Sequence, residues 1–234
     1  MEQVKFGVVG AAGRMGQSLV KQVVRTEGAC LVATSERKSH PALGQDIGLL
    51  CGLGPLNIEI TDNASEVFKS ADCVLEFSSP QATAAHAQIA AVRHVCHVIG
   101  TTGLDTQEQA SIGACAKETA IFWAANMSIG VNVLLILAEQ AAAILSDDFD
   151  IEIMEMHHRH KVDAPSGTAL ALGRAVAKGR NVDLEVVSQR IRDGITGERK
   201  RGDIGFAVLR GGDVVGTHNV ILAGQNDRLE LSHH

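Results

Sequence analysis

The sequence predicts an α/β protein in which a doubly wound, Rossmann-like parallel sheet is followed by an α+β domain with an open, mostly antiparallel sheet. Three observations predict this fold class. Short apolar runs alternate with helical patterns through the first half, as in parallel sheets that are covered on both faces. A glycine-rich turn follows the first run. After Ser128 strand patterns dominate, so we predict one domain at residues 1–127 and a second at residues 128–234.

The first domain is built from predicted strands that are short apolar runs. They lie at Val4–Val9, 30–35, 73–77, 95–99 and 121–124. An apolar stripe that starts at Met15 and recurs at helical spacing predicts a helix after the first strand. Further helices are predicted at 82–92 and 106–119. Right-handed crossovers between such strands give a doubly wound sheet.

The second domain begins with a predicted helix at 128–146, for which Ser128 is a suitable N-cap. The alternating run DIEIMEM at 150–156 predicts a strand, and a helix is predicted from the Ser-Gly-Thr turn at 166–168. The rest of the chain is predicted to form only strands, at 184–191, 204–210, 214–222 and 227–232. Gly-Gly-Asp at 211–213 predicts a hairpin between two of them. The apolar face of such an open sheet needs a cover, which a second copy of the chain would supply.

Composition and charge argue against several classes of protein. The formal charge of −6, the absence of tyrosine and the single tryptophan argue against nucleic-acid binding. The chain starts in a strand pattern rather than a signal peptide, and its most apolar helix pattern contains Asn132, Glu139 and Gln140, so we expect no membrane span. The five cysteines are odd in number and have no CxxC spacing, which indicates core residues in a reducing, cytoplasmic compartment.

A G-x-x-G-x-x-G turn, formed by Gly10, Gly13 and Gly16, lies between the first strand and the first helix. Such a turn brings backbone N–H groups and a helix N-terminus close to a pyrophosphate. The usual fingerprint is G-x-G-x-x-G, and here Ala12 replaces the second glycine, so a turn needed only for tight packing is an alternative. Glu36 stands 20 residues after Gly16, where an acid hydrogen-bonds a ribose hydroxyl, and this favours a dinucleotide site.

Further residues around this turn favour a cofactor site. Arg37 follows Glu36 and can pair with a 2′-phosphate, which predicts tolerance for NADH and NADPH, with an ordinary solvated ion pair as the alternative. Loops at 77–80, 100–103 and 124–127 follow three of the predicted strands. Their small residues suit the close approach of a nicotinamide and its ribose. Each loop alone is ordinary, but three of them at one edge of a sheet favour a bound cofactor.

The segment HHRHKVDAPSGTA at 157–169 carries five consecutive cationic or protonatable side chains and then the start of a predicted helix. A strand that ends in cations beside a helix N-terminus is suited to hold a small anion. One imidazole can move a proton near neutral pH, Lys161 can donate one, and Gly167 and Thr168 can bind a carboxylate. A metal site is disfavoured, because the histidines have no carboxylate or thiolate at ligand spacing and the neighbouring cations repel a divalent ion. A solvated basic loop is the remaining alternative.

Four motifs of this chain occur together in one known family. They are GAAGRMG at 10–16, GTTG at 100–103, AANMSIGVN at 124–132 and EMHHRHKVDAPSGTAL at 155–170. With them the chain resembles the 4-hydroxy-tetrahydrodipicolinate reductase family, formerly called dihydrodipicolinate reductase, from residue 4 to its end. The resemblance implies NAD(P)H-dependent reduction of 4-hydroxy-tetrahydrodipicolinate to tetrahydrodipicolinate with loss of water, in diaminopimelate and lysine biosynthesis. It also implies a cytoplasmic homotetramer that assembles through the second domain.

The resemblance implies roles for individual residues. His157 is the implied proton donor or acceptor and Lys161 an implied proton donor. The implied ligands of the substrate's carboxylates are His158, Gly167 and Thr168. The residues implied for the cofactor, NADPH or NADH, are Gly10, Ala11, Ala12, Gly13, Arg14, Met15, Glu36, Arg37, Gly100, Thr101, Thr102, Ala124, Ala125, Asn126 and Met127.

Two features depart from the family's pattern. Ser79 stands where some members carry an arginine, which puts one cofactor contact in doubt. The chain ends with Ser232, His233 and His234, whereas the family has a further segment that returns to the first domain. We therefore expect the sequence to be a truncated version of the natural chain.

Two other functions agree with parts of the sequence. Another NAD(P)-dependent dehydrogenase of amino-acid metabolism would share the glycine turn but not the segment at 157–169. A non-catalytic dinucleotide-sensing protein would need a nucleic-acid-binding module, and the net negative charge of the chain does not favour one. The predicted partner is therefore a small cyclic dicarboxylate substrate, with no nucleic acid and no membrane.

Overall fold

The computed structural model describes residues 3–234, which form two compact units. Unit 1 ends at Ala125 and unit 2 begins at Asn126. The strands of unit 1 are β1 (Val4–Val9), β2 (Ala29–Ser35), β3 (Ile60–Thr61), β4 (Cys73–Glu76), β5 (Cys96–Ile99) and β6 (Ile121–Trp123). Its helices are α1 (Arg14–Arg25), α2 (Ile47–Leu50), α3 (Ala64–Ser70), α4 (Pro80–Arg93) and α5 (Thr106–Cys115).

The sheet of unit 1 is parallel at every pairing and has the order β3-β2-β1-β4-β5-β6. Apolar side chains cover both faces, with Val8, Val20 and Ile47 in one cluster and Val9 and Phe68 in another. The strand order reverses between β1 and β4, so the loops after these two strands diverge and leave a crevice at their carboxyl ends. This is where doubly wound sheets bind their ligands.

Unit 2 combines helices with a second sheet. Its elements are α6 (Ile129–Ile144), β7 (Asp150–His157), α7 (Gly167–Gly179), α8 (Leu184–Val187), β8 (Ser188–Gln189), β9 (Ile204–Arg210), β10 (Thr217–Gly224) and β11 (Asp227–His233). The sheet order is β11-β10-β7-β9-β8. Strand β10 is antiparallel to β7 and β11, whereas β9 is parallel to β7 and β8. The predicted fold class is confirmed.

The core of unit 2 lies between the sheet and helices α6 and α7. The alternation along β7 directs Ile151 and Ile153 to this side, where they join Ala138 of α6 and Leu172 of α7. This apolar face of the sheet is thus covered within the unit, whereas the sequence pattern predicted cover from a second copy of the chain. Within the described part of the chain, no helix is long and apolar enough to cross a membrane.

The strand predicted at 184–191 is largely wrong. Residues Leu184–Val187 form helix α8, and only Ser188 and Gln189 pair in the sheet. The N-cap Asp183 explains the difference, because its side chain accepts the N–H of Glu185 and starts a helical turn. A run of four residues, of which three are apolar, does not distinguish a strand from one turn of helix.

The hairpin predicted at 211–213 is also wrong, because β7 lies between β9 and β10. The connection between those strands passes over the end of β7 instead. There the N–H of Gly211 donates to the carbonyl of His157 at 3.0 Å, and the N–H of Arg159 donates to the carbonyl of Gly212 at 3.2 Å. The glycines therefore hold the start of the cationic segment in place.

Candidate functional site

The glycine turn after β1 forms a cradle of bare backbone. Gly10 has a φ of +69°, in the left-handed region that favours glycine. A Cβ at Gly16 would lie 2.1 Å from the carbonyl oxygen of Gly10 and 2.7 Å from the Cα of Ala11, so α1 begins directly against the turn. The N-cap residue of α1 is Gly13, which has no side chain to accept the N–H groups at the start of the helix. The N–H groups of the first turn of α1 can therefore bind an anion such as a pyrophosphate.

Glu36 fixes the cradle to the end of β2. Its carboxylate accepts the N–H of Ala12 at 3.2 Å and the N–H of Arg37 at 2.9 Å. The last residue of β2, Ser35, accepts the N–H of Ala11 at 3.0 Å. A carboxylate has about four acceptor positions, so Glu36 can still accept hydrogen bonds from ribose hydroxyls.

A cavity of about 480 Å³ opens in unit 1 at the crevice between β1 and β4. Its walls come from the glycine turn, the end of β2 and the loop after β4, and they include Gly10, Gly13, Ser35, Glu36, Arg37, His40, Asp62, Ala64, Phe77, Ser78, Ser79, Ala82 and His86. Four predicted cofactor residues thus meet at one cavity. Ser79, which departs from the family's pattern, lies in the same wall. The bare cradle and the acid beside it fit an adenine dinucleotide.

The other predicted cofactor residues lie outside the walls of this cavity. They are Ala11 and Ala12 in the turn, Arg14 and Met15 in α1, Gly100, Thr101 and Thr102 after β5, Ala124 and Ala125 after β6, and Asn126 and Met127 at the start of unit 2. The residues after β5 and β6 follow the carboxyl edge of the same sheet. Trp123 fixes this edge, because its Nε1–H donates to the carbonyl of Thr101 at 3.1 Å.

In unit 2, His157 ends β7 and is oriented by a buried carboxylate. Side chains two residues apart on a strand share a face, so Glu155 and His157 are neighbours. Oε2 of Glu155 lies 2.6 Å from Nδ1 of His157, and both side chains are buried. Because an ionised carboxylate only accepts, Nδ1 carries the proton of this bond. The Nε2 atom of His157 is then the one that could exchange a proton with a ligand.

Glu155 is ionised because its oxygens are well paired. Arg210 donates to both of them, at 2.8 and 2.9 Å, and the backbone N–H of Ser166 donates at 3.0 Å. Burial raises the pKa of Glu155, but the hydrogen bonds from Arg210 and His157 bring this pKa below its ordinary value. The carboxylate can therefore stabilise a positive charge on His157.

A second histidine packs against the first. The ring of His218 lies edge-on to that of His157, with 5.1 Å between the ring centroids. Nε2 of His218 is 3.1 Å from Oγ of Ser166. Burial, together with the Coulombic effect of His157, lowers the pKa of His218 to about 4. His218 is therefore neutral near pH 7.

Lys161 lies in the loop that follows the strand end. Its Nζ is 2.8 Å from Oδ1 of Asp163, and its backbone N–H donates to the carbonyl of His158 at 3.1 Å. Burial raises the pKa of Asp163, but the bond from Lys161 brings it below its ordinary value, so the two form an ion pair. The side chains of Arg159 and His160 are exposed, and the ring centroid of His160 lies 6.2 Å from that of His158.

The predicted carboxylate site is the N-terminus of α7. The N-cap Ser166 accepts the N–H of Ala169 on its Oγ at 3.2 Å. The N–H groups of Gly167 and Thr168 come earlier in the helix and have no acceptor within it. A Cβ at Gly167 would meet no atom within 4 Å, so the space there is open. Asn126 donates from its Nδ2 to Oγ1 of Thr168 at 3.1 Å, which joins a predicted cofactor residue to a predicted substrate residue.

Three residues of this site, Glu155, Arg210 and His218, are not among those predicted from the sequence. Glu155 could have been found from its spacing, two residues before His157 on a predicted strand. The other two lie on neighbouring strands, where Arg210 is opposite His157 and His218 is opposite Glu155. That placement depends on the strand order, which local patterns do not give.

Comparison with known proteins identifies the family. The family model described as "Dihydrodipicolinate reductase, N-terminus" matches residues 4–127, and the one described as "Dihydrodipicolinate reductase, C-terminus" matches residues 130–234. The chain belongs to the dihydrodipicolinate reductase family. The family predicted from the sequence motifs is thereby confirmed.

Individual relatives agree with this assignment. The 4-hydroxy-tetrahydrodipicolinate reductase of Chelativorans sp. (strain BNC1) is 53% identical over 234 residues, which cover 100% of this chain and 84% of the relative. That of Sinorhizobium fredii (strain NBRC 101917 / NGR234) is 53% identical over 98% of this chain and 85% of the relative. The solved dihydrodipicolinate reductase of Paenisporosarcina sp. TG-14, with dipicolinate bound, has a TM-score of 0.72 at 25% identity and covers 99% of this chain and 87% of that one.

Proposed function

We propose that this member of the family reduces 4-hydroxy-tetrahydrodipicolinate to tetrahydrodipicolinate with NADPH or NADH and releases water, as a step of diaminopimelate and lysine biosynthesis. The observation that carries the proposal is the buried pair of Glu155 and His157, whose carboxylate also accepts the N–H of Ser166 at the start of α7. This pair joins a proton-transfer group to a helix N-terminus that suits a carboxylate. Family membership and the relatives' names support the same reaction.

Unit 1 is the proposed cofactor-binding unit. Residues 10–15 would hold the pyrophosphate, and Glu36 and Arg37 would hold the adenosine ribose or its 2′-phosphate. Residues 100–102 and 124–127 would line the nicotinamide. The cofactor supplies the hydride, while the protein residues bind and orient it. Arg37 is exposed beside the carboxylate of Glu36, which supports the use of both NADH and NADPH.

Unit 2 is the proposed source of protons and carboxylate ligands. Loss of the 4-hydroxyl as water breaks the C–O bond and a neighbouring ring C–H bond, so the proton gained by the departing oxygen is balanced by one that leaves the ring carbon. Hydride addition to the resulting conjugated ring creates a negative charge that a further proton neutralises. His157 and Lys161 are the proposed groups for these transfers. His158, Gly167 and Thr168 would hold the two carboxylates of the substrate. The dipicolinate in the solved relative from Paenisporosarcina, a flat cyclic dicarboxylate, supports this assignment.

We also propose a cytoplasmic homotetramer. All five cysteines lie in the described part of the chain and carry free thiols, as is usual in a reducing compartment. The face of the unit 2 sheet opposite α6 and α7 presents Met154, Leu209 and Ile221, and Leu209 is 46% exposed. An apolar sheet face of this kind is suited to pair with another copy. Light scattering on the purified chain tests the tetramer.

An absorbance assay tests the activity. We expect the chain to oxidise NADPH and NADH when freshly made 4-hydroxy-tetrahydrodipicolinate is added, and pyridine-2,6-dicarboxylate to inhibit this oxidation. A parallel calorimetric titration of each cofactor, with and without pyridine-2,6-dicarboxylate, separates binding from catalysis. Binding of the cofactor without its oxidation would contradict the proposed reductase activity and would indicate a dinucleotide-binding protein without this activity. Absence of cofactor binding would contradict the assignment of unit 1.

A further inference from the structure

The buried carboxylate of Glu76 is an ionised group in unit 1 for which the proposed reaction has no direct use. Glu76 ends β4 and is fully buried. Its oxygens lie 2.8 Å from Nδ1 of His86 and 2.7 Å from Nε2 of His97, and it also accepts a hydrogen bond from the hydroxyl of Ser78. Burial raises the pKa of Glu76, but the hydrogen bonds from the two histidines bring this pKa down to about 2.

The hydroxyl of Ser78 continues this network toward the next strand. Its Oγ lies 3.4 Å from Oγ1 of Thr83, which in turn lies 2.7 Å from Oγ1 of Thr101. The backbone N–H of Ser78 donates to the same Thr101 oxygen at 3.1 Å. Thr83 and Thr101 are both buried, so water does not compete strongly for these bonds. The loop after β4 is therefore joined to the loop after β5.

Packing reinforces this junction. A Cβ at Gly100 would lie 2.1 Å from the ring of Phe77, so the ring rests directly on the backbone of the β5 loop. Phe77 and Ser78 both line the cavity at the crevice, and so does His86, the histidine bound to Glu76. The network thus links the wall of the cavity to Thr101, a predicted nicotinamide-side residue.

We propose that Glu76 is a positioning residue for the dinucleotide, acting through Ser78, Thr83 and Thr101. Its carboxylate holds the loops after β4 and β5 in one arrangement before the cofactor arrives. A preorganised site loses less conformational entropy on binding, and its affinity is correspondingly higher. This inference rests on the proposed binding of NADPH or NADH in unit 1.

Two sets of variants test the role by calorimetric titration with NADPH. Glu76→Gln keeps the shape of the side chain but removes the charge, and we expect it to raise the Kd for NADPH on the order of tenfold or more. Thr83→Val keeps the shape and removes one hydroxyl, and we expect a rise of roughly threefold to tenfold, the worth of one hydrogen bond. Thr83→Ser is the matched control, because it retains the hydroxyl, and its Kd should stay near that of the unchanged chain.

The outcomes separate this inference from the proposed function. If the unchanged chain does not bind NADPH, the dinucleotide assignment itself fails. If it binds, and Glu76→Gln and Thr83→Val melt at lower temperature yet bind NADPH as tightly as before, Glu76 serves stability alone and the inference is overturned. If Glu76→Gln does not fold, the comparison of Thr83→Val with Thr83→Ser decides. In active preparations, the KM for NADPH should rise more than kcat falls.

Discussion

Nδ1 of His157 lies 2.6 Å from Oε2 of Glu155 in the interior of unit 2. The strand supplies this relationship directly, because residues two apart on β7 face the same side. Arg210 balances the charge of Glu155 from the neighbouring strand. The arrangement fixes the imidazole in one tautomer and would stabilise the proton that His157 gains in the proposed reaction.

The first prediction concerns this pair. Glu155→Gln should lower kcat between about tenfold and 100-fold, because a neutral amide neither fixes the tautomer nor stabilises an imidazolium. The dependence of kcat on pH should change as well, because the charged partner of His157 is removed. Steady-state kinetics across pH measure both effects. Glu139→Gln is the control, since Glu139 pairs with the exposed Lys178 on the helical side of the same unit, and its profile should match that of the unchanged chain.

The pairing is a positioning device only if the pH profile changes. A Glu155→Gln variant that loses stability but keeps the original profile and kcat would contradict the role that we assign to Glu155. Melting curves measured alongside the kinetics distinguish the two cases.

The buried His218 makes the stability of the fold depend on pH. Its pKa is about 4 in the folded protein, against 6.5 for an ordinary histidine. Between these two pH values the unfolded chain binds a proton on His218 that the folded chain does not bind. The contribution of the neutral His218 to the free energy of unfolding is therefore fully present above pH 6.5 and is lost as the pH falls toward 4. Between pH 7.5 and 5 the loss from this residue should be about 2 kcal/mol.

Urea unfolding at the two pH values checks this expectation. His218→Gln should reduce the difference in unfolding free energy between pH 7.5 and 5 by about 2 kcal/mol. The variant should also be less stable at pH 7.5, because it loses the bond between His218 and Ser166. His94→Gln, at an exposed position, should keep the pH dependence of the unchanged chain. An identical pH dependence in the His218 variant would show that His218 is not held neutral.

Two helical glycines of unit 1 offer a matched comparison. A Cβ at Gly16 would meet the carbonyl oxygen of Gly10 at 2.1 Å, whereas a Cβ at Gly113 in α5 would meet no atom within 4 Å. Gly16→Ala should therefore cost about 1–3 kcal/mol of stability and weaken NADPH binding, because the turn must open. Gly113→Ala should raise stability by roughly 0.5–1 kcal/mol, the gain in helix propensity, and leave binding unchanged. Chemical denaturation and calorimetry give both quantities, and equal effects at the two positions would contradict the cradle geometry.

Local pattern predicted the elements that matter most for the site. The alternation at 150–156 and the Ser-Gly-Thr start at 166–168 correspond to β7 and α7, whose ends carry the proposed catalytic and carboxylate-binding residues. The apolar runs of the first half correspond to the strands β1, β2, β4, β5 and β6 within about one residue at either end. These signals are local, since each depends on residues within a few positions of one another.

What local pattern could not give is the pairing of distant segments. The insertion of β7 between β9 and β10 turns the predicted hairpin at 211–213 into a connection over the end of β7. The same insertion brings Arg210 and His218 to Glu155, although they are 55 and 63 residues away along the chain. Strand order is decided by the packing of the whole unit, so the partners of His157 are visible only in the structure.

The last prediction separates proton transfer from cofactor binding. Lys161→Ala should lower kcat by about 100-fold or more, because it removes a proposed proton donor, while the Kd for NADPH stays within about twofold. The expectation follows from the proposed assignments, since Lys161 is assigned to the substrate, whereas the pyrophosphate and adenosine-ribose contacts are assigned to the glycine cradle and Glu36 of unit 1. Lys178→Ala is the control, because that exposed lysine pairs with Glu139 and should leave both kcat and Kd unchanged. Kinetics and calorimetry on the same preparations measure the two effects, and an equal loss of NADPH affinity in Lys161→Ala would place the lysine at the cofactor instead of at the substrate.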